Sequence, residues 1–287
     1  MSISEFLTII LAAIVSIVLV SASAEDLKTR TVRNVHWVII GSAGVIVHIL
    51  VSMINGNILS VLPITAISVI ILYEILGKSD YSVITNIVFI GSLIVFIVLS
   101  CRLAASDAEF YTALSVPVFS VIFLIMYCTG LLKGGADAKC MISLTIAFPA
   151  YPIFSIFPIF KPSDGLISFV FSFPLAILFH ALILTMLMVV PFLYINIKNG
   201  NTGRLMFSGY VTNIEKARTS HVWPMHDVNN GRLVRVSAVN DAEEIYGRLK
   251  EHGETDIWVT PKIPFVVPIT ISFLITVIAG NPLFLIL

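Results

Sequence analysis

Apolar residues fall into eight long runs along this chain: Ile3 to Ala22, Val35 to Ile54, Ile58 to Leu76, Val83 to Cys101, Phe110 to Leu132, Ala138 to Phe160, Leu166 to Ile197 and Pro264 to Leu287. Polar stretches separate them. The runs are too long and too continuously apolar for the alternating strands of a membrane barrel, and lipid tolerates only helices and closed barrels, so each predicts a transmembrane helix. About twenty residues at 1.5 Å each cross a hydrocarbon core ~30 Å thick. Pro149, Pro152 and Pro158 crowd the sixth run, and Pro174 and Pro191 interrupt the seventh. A missing amide N–H at each predicts kinks or early ends.

One stretch breaks the pattern. Residues 198–262 are hydrophilic, and they divide the chain into a helical bundle (1–197), an insert (198–262) and a final transmembrane helix (263–287). Within the insert, Arg232 to Val239 alternates as a strand does, Asn230-Gly231 is a hairpin turn, and Asp256-Ile-Trp-Val259 reads as a second short strand. Asp241 to Glu251 predicts a short helix, capped by Asp241 and ended by Gly253. The expected fold is therefore an all-α polytopic membrane protein of about eight transmembrane helices, with a small α+β insert before the last.

Composition agrees with a membrane protein: 57% of residues are hydrophobic and 12% charged, against about a quarter charged in a soluble domain. Net charge is zero, which gives no field to attract nucleic acid. Cys101, Cys128 and Cys140 lie at spacings of neither a disulfide framework nor a zinc site. The histidines of the insert, His221, His226 and His252, likewise lack metal-ligand spacing, and His180 inside the seventh run should face protein. Glu5 is the only charge near the start of the first run, which lacks a basic leading segment and therefore reads as a permanent helix and not a signal peptide.

Charge distribution orients the bundle. Lys28, Arg30, Arg33, Lys78, Lys133, Lys139 and the nine basic residues from Lys198 to Lys262 fall on one side, with Arg102 and Lys161 on the other. The richer side is expected to be cytoplasmic, with both termini outside. This topology puts two carboxylates on the cytoplasmic face: Asp26, just after the first run, and Asp137, just before the sixth. Paired carboxylates can hydrolyse a peptide, the ionised one taking a proton from water and the neutral one polarising the carbonyl; proximity itself makes them share a proton. Gly134-Gly135 ahead of Asp137 would permit tight or left-handed backbone, and Lys133 and Lys139 flank it. Taken singly, Asp137 reads equally as a helix N-cap and Asp26 as a solvated loop charge.

The segment Asp26-Leu-Lys-Thr-Arg-Thr-Val-Arg-Asn34 after the first helix, with Gly134-Gly-Ala-Asp-Ala-Lys139 before a later one, resembles the type IV prepilin peptidase family, most closely its archaeal preflagellin and prepilin peptidase branch. These are GxGD-type intramembrane aspartyl proteases. The stretch Ile257 to Phe265 also looks like the archaeal branch. The family pattern often places proline where Arg33 stands, and the GxGD glycine is here Ala136. The absence of a CxxC pair sets the chain apart from bifunctional bacterial members with a methyltransferase region.

The resemblance implies catalysis by Asp26 and Asp137, with Gly134, Gly135 and Lys139 as supporting motif residues. The substrates would be archaellin or type IV pilin precursors, losing a short basic leader at the cytoplasmic membrane face. Glu25, Glu74 and Asp80 are candidates to meet the basic residue before the cut. No metal or organic cofactor is expected, and lipid is the remaining partner. The competing reading is an ion-coupled transporter that uses the same aspartates, against which stand their position at the membrane boundary and the lack of internal repeats. A noncatalytic assembly subunit is the third.

Overall fold

The structure, a computed structural model, describes residues 1–76, 91, 94–96, 98–102, 106–132, 134–187, 189–236 and 242–286. The chain folds as two units. The first comprises Met1–Leu182 and Pro264–Leu287, the second Ile183–Ile263.

The first unit is helical: α1 (Ile3–Thr29), α2 (Asn34–Ile54), α3 (Ile58–Leu76), α4 (Asp107–Cys128), α5 (Gly135–Ala147), α6 (Gly165–Val170), the start of α7 (Phe173–Met186), and α11 (Val266–Ala279). Among the described residues, four helical stretches are long and apolar enough to cross a membrane: α1, α2, α4 and Phe173–Lys198. Val61–Tyr73 and Val266–Ala279 are apolar but shorter. The fourth predicted run falls largely outside the described residues, so these carry fewer full spans than the eight runs predict.

Two boundaries differ from the hydropathy reading for clear reasons. Helix α1 continues seven residues past Ala22, because its buried stripe of Leu11, Val15, Leu19 and Ala22 extends through Ser23 to Asp26 at helical spacing. The polar residues there point inward and the helix does not end with the apolar run. The sixth run, by contrast, makes a helix of only 13 residues, about 20 Å long. It stops at Phe148, where Pro149 cannot continue it. Residues 148–164 then run as irregular backbone anchored by aromatic rings: Phe148 and Tyr151 both pack on Phe173, and Tyr151 donates to the Phe171 carbonyl at 2.8 Å. Ile159 and Phe160 donate backbone hydrogen bonds to Ile278 and Ala279 at the end of α11.

Helix α5 is the innermost element. Ala138 and every residue from Cys140 to Ala147 are buried, the polar Ser143 and Thr145 among them. Close approach by α2 makes this possible: Gly41 leaves room for Leu72 of α3, and Gly44 lies so near Ala147 that any side chain would strike its backbone. His48 of α2 reaches the Ile146 carbonyl at 3.2 Å, serving the C-terminal end of α5. His180 faces protein as predicted, 2.9 Å from the Thr276 hydroxyl of α11.

The second unit contains the end of α7, then α8 (Val189–Lys198), β1 (Tyr210–Asn213), α9 (Ile214–Arg218), β2 (Val222–Pro224), β3 (His226–Asn229), β4 (Arg232–Arg235), α10 (Glu243–Glu251) and β5 (Asp256–Pro261). An antiparallel sheet in the order β1-β5-β2 buries Ile257 and Val259 against Ile214, Ile245 and Leu249. The predicted hairpin is present: Asn229 pairs with Arg232, and Asn230 and Gly231 both take positive φ, 51° and 71°, the geometry of a two-residue primed turn. Helix α10 begins at Glu243, and Asp241 lies outside the described residues. Helix α8 belongs to this unit because buried Asn196 donates to the carbonyls of Met206 at 3.1 Å and Gly209 at 2.7 Å.

Candidate active site

Asp26 lies in the last turns of α1 and is buried. It is therefore not a solvated loop charge. Asp137 lies in the first turn of α5, where Gly134 is the cap residue, so the aspartate sits three positions inside the helix and is not its N-cap. Its carboxylate is turned back toward the Gly134 N–H, one of the helix-terminal donors with no intrahelical partner.

The two carboxylates share one neighbourhood. Asp137 feels the negative charge of Asp26, and the buried thiol of Cys140, one turn further along α5, feels both. Asp137 precedes the sixth apolar run and lies outside the four membrane-length stretches. Burial, and after it the charge of Asp26, push its carboxyl up to about 7. Two like charges this close favour holding one proton between them.

The glycines do something other than expected. Neither takes a left-handed conformation; Gly134 has φ −97° and ψ 126°. What Gly134 supplies is space, since a Cβ there would run into the Asp137 carboxylate. Gly135 is less constrained, its missing Cβ lying 3.5 Å from the Tyr127 hydroxyl. Lys139 is engaged elsewhere. Its ammonium donates to Asn34 Oδ1 at 3.0 Å, joining the two sequence motifs.

The other predicted residues divide. Glu25 turns onto Arg33 at 2.9 Å and stands 3.5 Å from His36, so its charge is matched within the chain. The side chain of Glu74, Asp80 and Lys133 lie outside the described residues.

Three contributors were not among the predicted site residues. The N–H of Val266, the first residue of α11, faces the Asp26 carboxylate, and the guanidinium of Arg30 lies near it. Ser23, on the same face of α1 as Asp26, is bonded to Thr270 of α11 at 2.7 Å. Ile263-Pro-Phe265 ahead of Val266 was the available signal, because a proline just before an apolar run marks a helix start.

Residues 202–281, which span the sheet of the second unit and all of α11, match the family model described as Archaeal Peptidase A24 C-terminus Type II. Across a larger share of the chain there is similarity to the preflagellin peptidase of Methanococcus voltae, 28% identical over 210 residues, 69% of this chain and 86% of the relative. The preflagellin peptidase of Methanococcus maripaludis is 25% identical over 274 residues, 92% of each chain. That of Methanocaldococcus jannaschii is 28% identical over 180 residues, 60% of this chain and 73% of the relative. This chain is similar to the archaeal preflagellin peptidases. The A24 match ends two residues past α11, so the segment that carries Val266 to Asp26 lies inside it. The aspartates themselves, at positions 26 and 137, fall outside it and rest on the geometry above.

Proposed function

We propose that this protein is a membrane-embedded aspartyl endopeptidase that removes the short basic leader from archaellin or type IV pilin-like precursors at the cytoplasmic face of the membrane. The observation that carries the reading is the convergence of Asp26 and Asp137, from motifs 111 positions apart in the sequence, near enough that the charge of Asp26 helps to raise the carboxyl of Asp137. The relatives are named as preflagellin peptidases, which supports a leader peptide as the substrate class.

In this mechanism the pair holds one proton. The charged member takes a proton from water as the water attacks the scissile carbonyl carbon. The neutral member donates to the carbonyl oxygen, and the resulting gem-diol collapses as the proton passes to the leaving nitrogen. Burial excludes bulk water and strengthens these charge interactions. Loop charges support a cytoplasmic site with both termini outside.

The test is mass spectrometry of a co-expressed preflagellin-like precursor. Leader loss with the wild-type chain, and none with Asp26→Asn or Asp137→Asn at equal membrane insertion, supports the reading. Full cleavage by both variants overturns it.

A further inference from the structure

The last helix makes a contact with α1 that simple helix packing does not require. Val266 opens α11 with no capping side chain from Phe265 ahead of it, so its N–H is one of the helix-terminal donors with no intrahelical partner. That N–H faces Asp26. One turn earlier on α1, the Ser23 hydroxyl lies 2.7 Å from Thr270 Oγ1 and 3.4 Å from the Val266 carbonyl. Thr270 in turn reaches two carbonyls, Val266 at 2.9 Å on its own helix and Leu19 at 3.3 Å across the interface. Ser23 and Asp26 thus take hold of the two ends of one residue, Ser23 toward its carbonyl and Asp26 toward its N–H. All four residues are buried.

Resting on the peptidase reading, we propose that Ser23 and Thr270 are positioning residues of the catalytic centre, a clasp that holds the N-terminus of α11 against α1 so that the Val266 N–H fixes the Asp26 carboxylate. A carboxylate at a helix end can rotate about two bonds. An amide donor from a second helix selects one orientation. The clasp is needed because the donor is a backbone group, which cannot adjust by changing rotamer. Its place is set only by where α11 begins. The proposal also gives α11 a part in the chemistry, although it bears no charged side chain.

Interhelical Ser–Thr bonds also serve as plain adhesion between membrane helices, so the experiment must separate the two roles. The full-length chain is assayed on a preflagellin-like precursor as wild type, Ser23→Ala, Thr270→Val, Thr270→Ser and the Ser23→Ala/Thr270→Val double variant, with Asp26→Asn as reference. The expected result for Thr270→Val is a fall in kcat of about 10- to 100-fold, the scale of a small misplacement of a catalytic group, with KM changed less than about twofold. Thr270→Ser restores the rate, and the double variant is no slower than the slower single one, because either change opens the same clasp. Unchanged kcat in Thr270→Val with lowered thermal stability assigns mere adhesion and overturns the proposal.

Hydrogen exchange at Val266 reads the clasp without any cleavage. Protection lost in Thr270→Val and regained in Thr270→Ser supports it, and equal protection in all variants overturns it. If wild type and Asp26→Asn are equally inactive on every precursor, the peptidase reading has failed, and the exchange result still decides whether the clasp exists.

Discussion

Lys139 and Asn34 are hydrogen bonded at 3.0 Å although 105 positions separate them. The bond runs from the first turns of α5, two residues after Asp137, to the first residue of α2, and so ties the two carboxylate-bearing motifs together. Both partners are partly enclosed, where a charge-assisted hydrogen bond is worth about 1.5–3 kcal/mol. Lys139→Met is expected to slow leader removal about tenfold and to lower the melting temperature in detergent. Asn34→Asp keeps an acceptor for the ammonium and should retain cleavage close to wild type. Equal loss in both variants would show that the amide of Asn34 matters for another reason.

Gly134 and Gly135 make a matched pair of opposite prediction. A methyl group at 134 would occupy the space of the Asp137 carboxylate, whereas at 135 it meets the Tyr127 ring at ordinary distances, 3.5–3.7 Å. Gly134→Ala is expected to turn the carboxylate away and reduce the cleavage rate about 100-fold while the protein still inserts and melts near the wild-type temperature. Gly135→Ala, at a helical position where alanine is favoured by about 1 kcal/mol, should cleave normally and melt slightly higher. Rates for the two purified variants on one precursor decide this, and equal activity would remove the steric role given to Gly134.

The raised carboxyl of Asp137 predicts two pH effects of definite sign. If the pair works with one proton, activity is present while Asp137 is protonated and is lost as pH rises through about 7, falling about tenfold per unit beyond that. Stability moves the same way. A folded-state value above the unfolded one favours folding below the ordinary carboxylate range, and that contribution is lost as pH rises toward about 7. Asp26→Asn removes the second cause of the shift, so its melting temperature should fall less between pH 5 and pH 8, on the order of half the wild-type change. Parallel melting curves for the two proteins would contradict the charge coupling.

The residues above also show what a linear reading can and cannot carry. Helix α3 matches its apolar run, Ile58–Leu76, end to end, because hydropathy alone sets a helix that lipid and neighbours surround. The Asn230-Gly231 turn was legible because its φ values are local chemistry. Asp26 is legible as a motif residue, but its burial is not, since the run ends at Ala22 only when inward-facing Ser23 and Asp26 are counted as solvent-facing. The shortened α5 was signalled by Pro149, but not the aromatic anchoring that lets irregular backbone follow it. Least legible were Val266 and its clasp. A backbone N–H carries no sequence signature, and its partner is set by the meeting of α1 and α11, 240 positions apart from Asp26 to Val266.

Arg30 allows backbone and side-chain effects to be separated at one position. It ends α1 in the left-handed region with φ 56°, its N–H bonded to the Asp26 carbonyl at 3.0 Å. A non-glycine residue there costs about 1–2 kcal/mol, so Arg30→Gly should raise stability by roughly 0.5–1 kcal/mol after its extra unfolded-chain entropy is subtracted. The guanidinium argues the other way for activity. It lies near the Asp26 carboxylate, and its Nε and Nη1 are enclosed with no hydrogen-bond acceptor among the described residues. Removing that charge should leave the Asp26 carboxylate without its neighbouring cation and slow cleavage about tenfold. Arg30→Asn, which tolerates the same backbone, should be slow as well, and Arg30→Lys should recover part of the rate by restoring charge without the fork. Melting curves and cleavage rates of the three variants check this together. If Arg30→Gly is more stable and fully active, Arg30 is only a juxtamembrane charge, and the geometry around Asp26 is complete without it.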